Sequence, residues 1–149
     1  MGRIVRRSAV ALALMIAVSG MSQSNAKPAA NKPAPGVSRG RYLVVNVGMC
    51  GDCHTPVDSK GRPLKGQYLQ GAPILFKSTI PVPGWMAIAP QIAGLPGWTD
   101  DQGIEFLMTG KKPDGAVAAP PMPAFRFNKA DATAIVTYLK SLGTEAAGK

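Results

Sequence analysis

A chain of 149 residues suits one domain and leaves little room for a second core. Its 17 basic residues against 8 acidic ones give a net charge of +9. The basic positions are scattered, and no aromatic platform or arginine-rich helix gathers them, which excludes a nucleic-acid module.

The first residues divide into a basic start (Arg3, Arg6, Arg7), an uncharged apolar stretch from Ser8 to Met21, and a small polar tail ending Ser24-Asn25-Ala26. That is the three-part pattern of a secretory signal peptide, residues 1–26, with cleavage expected after Ala26. The 14 residues of the apolar stretch fall short of the roughly 20 that span a bilayer, which ranks a retained anchor well behind. Arg6-Arg7 is followed by Ser8-Ala9, so the general secretory route fits better than twin-arginine export. A chain beginning at Lys27 keeps 14 basic residues against 8 acidic ones, a charge of +6. Such a surface is solvated, or it is a docking face for an acidic protein or an anionic membrane.

Residues 27–36 combine three prolines with small and polar residues and read as a flexible leader. A first helix is expected from about Arg39 to Gly48, capped by Ser38, with Leu43, Val44 and Val47 on its inner side. From Pro56 to Pro96 the chain is dense in Pro and Gly, which predicts a long wrapping segment of turns.

Thr99 followed by Gln102, ahead of Ile104, Leu107 and Met108, matches a capping box and predicts a helix over 100–109 that Gly110 ends. Residues 111–115 then form a turn. A last helix starts near Asn128 and carries Ala132, Ile135, Leu139 and Leu142 on one face until Gly143 stops it. The fold class is all-α: a helical domain over 37–145 with long loops and a tail at 146–149.

The chemistry concentrates in Cys50-Gly51-Asp52-Cys53-His54. Cys-x-x-Cys-His is the attachment signature of c-type haem. Cysteines three apart face one side of a helical turn, so both sulfurs reach the porphyrin vinyl groups while the next imidazole turns to the iron. A redox dithiol has no need of the histidine. A zinc site needs about four ligands, and the chain has only two cysteines and one histidine. The cofactor expected is therefore one covalent haem c, with Cys50 and Cys53 as its anchors and His54 as proximal ligand.

With no second histidine, the other axial ligand of an electron-transfer haem falls to a methionine. Beyond the signal, Met49, Met86, Met108 and Met122 remain. Met49 is too close to the first cysteine to reach the opposite face, and Met108 sits in a helix where core packing is the ordinary role of a thioether. Met122 lies in Pro120-Pro121-Met122-Pro123, whose fixed torsions suit a weak neutral ligand. Met86, beside Trp85, stays open as the alternative, as does an iron with one free position. Trp85, Trp98 and Arg126 are candidate donors to the haem propionates, and Pro63 is a candidate for the loop whose carbonyl orients His54.

At this point the chain resembles the class I c-type cytochromes, and most of all the monohaem modules found as cytochrome subunits or partners of bacterial alcohol, aldehyde and sugar-acid dehydrogenases. The similarity covers most of residues 37–145. It rests on Arg39-Gly40-Arg41-Tyr42-Leu43, the haem motif through Thr55-Pro56, Gly97-Trp98-Thr99-Asp100, Thr109-Gly110 with Pro113-Asp114-Gly115, Pro121-Met122-Pro123, and residues 134–142. The chain departs from the pattern at Ala87-Ile88-Ala89-Pro90-Gln91, where relatives often carry Asn-Ile-Thr-Pro-Asp.

The resemblance implies the cytochrome c fold, with the first and last helices crossing beside the haem, Gly40 allowing close approach, Tyr138 packing there and Met122 as axial ligand. It also implies a periplasmic electron carrier, not an enzyme. Single electrons would pass from a dehydrogenase or respiratory complex to an acceptor such as a terminal oxidase or another cytochrome. Membrane contact would be peripheral at most, and the chain a monomer or a subunit of a larger complex. The rival readings are a haem oxidoreductase and a ligand-binding haem protein with an open distal site. The first lacks a second histidine for acid/base work. Lys111 and Lys112 are candidates for steering an acidic partner.

Overall fold

A computed structural model describes Gly2 and residues 35–147, apart from the side chains of 35 and 144–147. The signal peptide expected at 1–26 and most of the leader at 27–36 lie outside the described residues.

Helix α1 spans Pro35–Tyr42 and passes directly into a π-helical turn, Leu43–Val47. This corrects the helix expected from Arg39: Pro35 sits in its first turn, where a missing N–H costs nothing, and Ser38 lies inside the helix rather than at its cap. The π turn closes with Gly48 N–H donating to Leu43 O at 2.7 Å. Widening the helix by one residue buries the adjacent pair Leu43 and Val44 together and turns Val47 outward, 47% exposed. Met49 then adopts φ 46°. The haem motif follows as a single helical turn, α2, Gly51–His54.

Helix α3, Asp100–Thr109, has both halves of the capping box: Gln102 N–H donates to Thr99 Oγ1 at 3.2 Å and Thr99 N–H to Gln102 Oε1 at 2.9 Å. Gly110 ends it at φ 75°, a left-handed position that suits glycine. Helix α4 covers Lys129–Ala147. Asn128 caps it, its Oδ1 accepting from Asp131 N–H at 2.9 Å.

Gly143 does not stop α4, because its role is steric rather than conformational. The chain at Gly94 crosses the helix there, with Gly94 N–H donating to Leu139 O at 2.8 Å. A Cβ on Gly143 would come within 2.7 Å of Gly94 Cα.

Three sides of α4 are covered. Gly40 of α1 lies against Ala134 and Tyr138, so closely that a Cβ at Gly40 would stand 2.7 Å from Tyr138 Cβ. Gly103 of α3 lies against Val136. Ile135 and Leu139 join Leu43, Val44, Leu69 and Ala93 in the buried core. Arg39 holds Asp131 across α1 and α4 with two bonds, 2.9 and 3.2 Å.

The long segment after Pro56 is built of turns, as expected, but contains one short antiparallel pair, β1 (Ala72–Pro73) with β2 (Ile88–Ala89). It is pinned to the helices by single long-range bonds, among them Gly71 N–H to His54 O at 2.8 Å and Leu69 N–H to Thr55 Oγ1 at 3.0 Å. Among the described residues, no helix is long and apolar enough to cross a membrane.

Candidate functional site

The helical turn of α2 places Cys50, Cys53 and His54 on the wall of one cleft of about 440 Å³. Both cysteines are partly buried, and no disulfide joins them. Burial pushes the Cys50 thiol up to about 11, the reverse of what a reactive dithiol or a thiolate metal ligand requires. Among the described residues, no group of three or more His, Cys, Asp or Glu is placed to hold a metal ion.

His54 is 5% exposed, and its Nδ1 lies 2.7 Å from the carbonyl oxygen of Pro90. A carbonyl can only accept, so Nδ1 carries the proton and Nε2 is left with its lone pair. Burial lowers the imidazole pKa, and the Pro90 bond offsets that only in part, so the ring is neutral at pH 7. A neutral imidazole with one nitrogen fixed by a carbonyl is the form in which histidine binds metals. The orienting carbonyl belongs to Pro90, not to the Pro63 loop: Pro63 pairs with Val57 in an isolated bridge away from the ring.

Met122 and Met86 both line the cleft. Their loops are joined, Met86 N–H donating to Pro120 O at 2.7 Å, so the structure brings the two candidate thioethers to the same wall. Met122 is half-buried and Met86 is 48% exposed. Met49 reaches only the rim, 57% exposed, and Met108 is not on the cleft.

Of the candidate propionate donors, Trp98 lines the cleft, packed edge-on to Phe106 at 5.3 Å. Lys140 Nζ donates to Trp98 O at 2.6 Å. Trp85 instead packs edge-on to Phe76 at 5.8 Å, and neither it nor Arg126 is on the cleft. Lys112, read from the sequence only as a steering charge, is the one lysine or arginine among the described residues lining the cleft.

Phe125 and Phe127, stacked at 5.2 Å, close another part of the wall. Neither was singled out from sequence, although their period-two spacing around Arg126 was a readable sign of one buried edge.

A porphyrin fits this set of residues. The cleft is deep and almost wholly apolar, two thiols three residues apart stand on one wall, and a neutral imidazole has a free nitrogen. Non-polar surroundings with a few fixed polar groups are what a cofactor pocket requires.

The cytochrome c family profile matches residues 37–143, and the chain belongs to that family, whose members transfer electrons through covalently held haem. Residues 37–143 are thus a domain of the electron-transfer type.

The chain is 36% identical over 118 residues to the fructose dehydrogenase cytochrome subunit of Gluconobacter japonicus, covering 73% of this chain and 22% of the relative. It is 33% identical over 137 residues to the gluconate 2-dehydrogenase cytochrome c subunit of Pantoea cypripedii, covering 83% and 30%. It is 34% identical over 124 residues to the alcohol dehydrogenase (quinone) cytochrome c subunit of Gluconacetobacter polyoxogenes, covering 74% and 26%. The chain thus spans between about a fifth and a third of the length of these curated relatives.

Proposed function

We propose that the chain is a periplasmic carrier of single electrons, holding one haem through thioethers at Cys50 and Cys53, with His54 and Met122 as axial ligands. Its donor is a dehydrogenase acting on alcohols, aldehydes or sugar acids, or a respiratory complex. Its acceptor is a terminal oxidase or another cytochrome. A single Cys-x-x-Cys-His motif supports the count of one haem. The pattern of residues 1–26 supports export, with removal of the signal after Ala26.

The observation that carries the reading is His54. Its Nδ1 is committed to Pro90 O at 2.7 Å, beside two thiols on an apolar cleft wall. When bound, the haem supplies the ferrous/ferric couple. The chain's own residues do the rest. Pro90 fixes the ring orientation and raises its basicity as a ligand. The apolar wall keeps water away, which with a thioether ligand raises the potential above that of bis-histidine sites. Met122 sits between prolines that limit its loop's alternative conformations. Lys111 and Lys112, with a charge of +6 after signal removal, favour approach of an acidic partner.

The test is the ferric spectrum. Met122→Ala should abolish the weak long-wavelength iron–sulfur charge-transfer band, while Met86→Ala should leave it in place. The reverse pattern moves the ligand to Met86. An unchanged band in both variants sinks methionine ligation at either position.

A further inference from the structure

Residues 74–87 form the loop that joins β1 to β2, and its residues have different surroundings. At the base, Ile74 N–H donates to Ala87 O at 2.8 Å, and Met86 N–H reaches Pro120 O, so this part is built into the cleft wall. Ile74, Met86 and Ile88 line the cleft. Beyond Ile74, Leu75 is 76% exposed, Phe76 52% and Ile80 68%, and none of the three lines the cleft. Filling the cleft would therefore not cover them. Phe76 packs against the edge of Trp85. Pro81 and Pro83 stiffen the loop. Large apolar side chains gathered on one loop mark an interaction surface.

The charges indicate what covers it. From residue 59 to residue 99 there is no acidic residue, and Lys77 lies within the loop itself. The neighbouring turn, which bounds the same surface depression as Leu75 and Phe76 at Gly61 and Pro63, carries Lys60, Arg62 and Lys65. Asp58 is engaged by Arg62 at 2.7 Å, and Asp52 is the carboxylate bordering that depression. Four basic residues thus face two acidic ones over residues 52–99.

Exposed aliphatic and aromatic side chains on a stiff loop, bordered by lysines, suit the interface of an anionic bilayer. A protein interface would be expected to deplete lysine.

We propose that the 74–87 hairpin docks the protein on an anionic lipid surface, seating Leu75, Phe76 and Ile80 among the headgroups and acyl ends, with Lys77 and the 60–65 turn on the lipid phosphates. Because the base of the same hairpin is cleft wall, docking brings that rim of the cleft to the bilayer surface. Membrane attachment then needs no spanning helix within the described domain. It also does not depend on which methionine binds iron.

The test is co-sedimentation of the haem-loaded protein with vesicles of equimolar phosphatidylglycerol and phosphatidylcholine, and with phosphatidylcholine alone. Wild type should bind the anionic vesicles more tightly. The L75S/F76S/I80S variant, confirmed folded by an unchanged visible spectrum, should bind at least about tenfold more weakly, since three apolar side chains no longer leave water. Lys77→Glu, a surface charge change that spares the packing, should weaken binding to anionic vesicles and leave that to neutral ones unchanged.

The proposal is overturned if wild type does not bind, if both variants bind as wild type does, or if Leu75, Phe76 and Ile80 prove necessary only for self-association in sedimentation equilibrium. Since vesicle binding reads no electron transfer, its failure would leave the haem reading standing.

Discussion

The helical frame and the loops that complete the cleft are held together in different ways. Where α1 meets α4, a glycine lets two backbones touch, and within each helix most backbone groups bond along the same element. Residues 56–98 and 111–127 have little repeating structure, and single long-range bonds, such as Gly94 N–H to Leu139 O and Phe127 N–H to Leu107 O at 3.1 Å, stitch them to the frame. The frame is therefore stable through its own contacts, whereas the loops require something in the cleft to pack on. Local stability follows contact density in this way.

Removing the cofactor's anchors should have the largest effect. The lining of the cleft is almost wholly apolar, and without a group to cover it that surface stays in contact with water, at about 25 cal/mol for each Å² left uncovered. The C50S/C53S variant, freed of non-covalent haem, should lose amide-exchange protection throughout 56–98 and 111–127. Protection in α1 and on the side of α4 that meets it should fall less. Ile135 and Leu139 line the cleft from α4, so that helix will not be untouched. Equal loss in loops and frame would erase the distinction between them.

The same division governs what could be read without a structure. The capping box at Thr99, the cap at Asn128 and the haem motif are local, each within five residues, and each was legible because side-chain identity at fixed spacing carries the signal. Gly143 was misread as a stop because its partner, Gly94, is far away in sequence and contributes only backbone.

The orienting acceptor of His54 was missed for the same reason: a carbonyl has no residue signature, and Pro90 lies 36 positions on. The π turn escaped because an adjacent buried pair, Leu43-Val44, fits an ordinary helix as well as a widened one. Met122 was favoured for its prolines and Met86 kept as the alternative, and the bond from Met86 N–H to Pro120 O joins their two loops.

Two glycines of α1 separate frame packing from helix propensity. In Gly40→Ala the new Cβ meets Tyr138 Cβ at 2.7 Å and the backbone of Ala134, so α1 and α4 must move apart. A cost of about 3 kcal/mol and a fall in melting temperature of roughly 10 °C or more are expected. In Gly36→Ala nothing lies within 4 Å, and the lower entropy of the unfolded chain should leave stability unchanged or slightly raised. Thermal unfolding of the two haem-loaded variants checks both signs. Similar losses at both positions would mean that the crossing does not hold the frame.

The smallest effect is expected one residue away, at Arg39. Its two bonds to Asp131 join the same pair of helices, yet the guanidinium side chain is 51% exposed, so solvent screens the attraction and side-chain freedom opposes it. The Arg39 hydrogen bond is the main cause holding the Asp131 carboxyl below the usual carboxylate range. A carboxylate whose folded pKa is depressed adds stability above its unfolded value of about 3.9, and that increment is lost as pH falls through the lower, folded value. Arg39→Gln should therefore lower the melting temperature slightly at pH 7, and the difference from wild type should shrink towards zero as the solution is acidified below pH ~3.9. A difference that persists undiminished in acid would show that Arg39 acts by packing against Tyr42, over whose ring its guanidinium carbon lies at 5.6 Å, rather than by pairing with Asp131. In either case the contact should matter far less than the absent Cβ beside it, because close backbone packing in the frame admits no solvent to soften the loss.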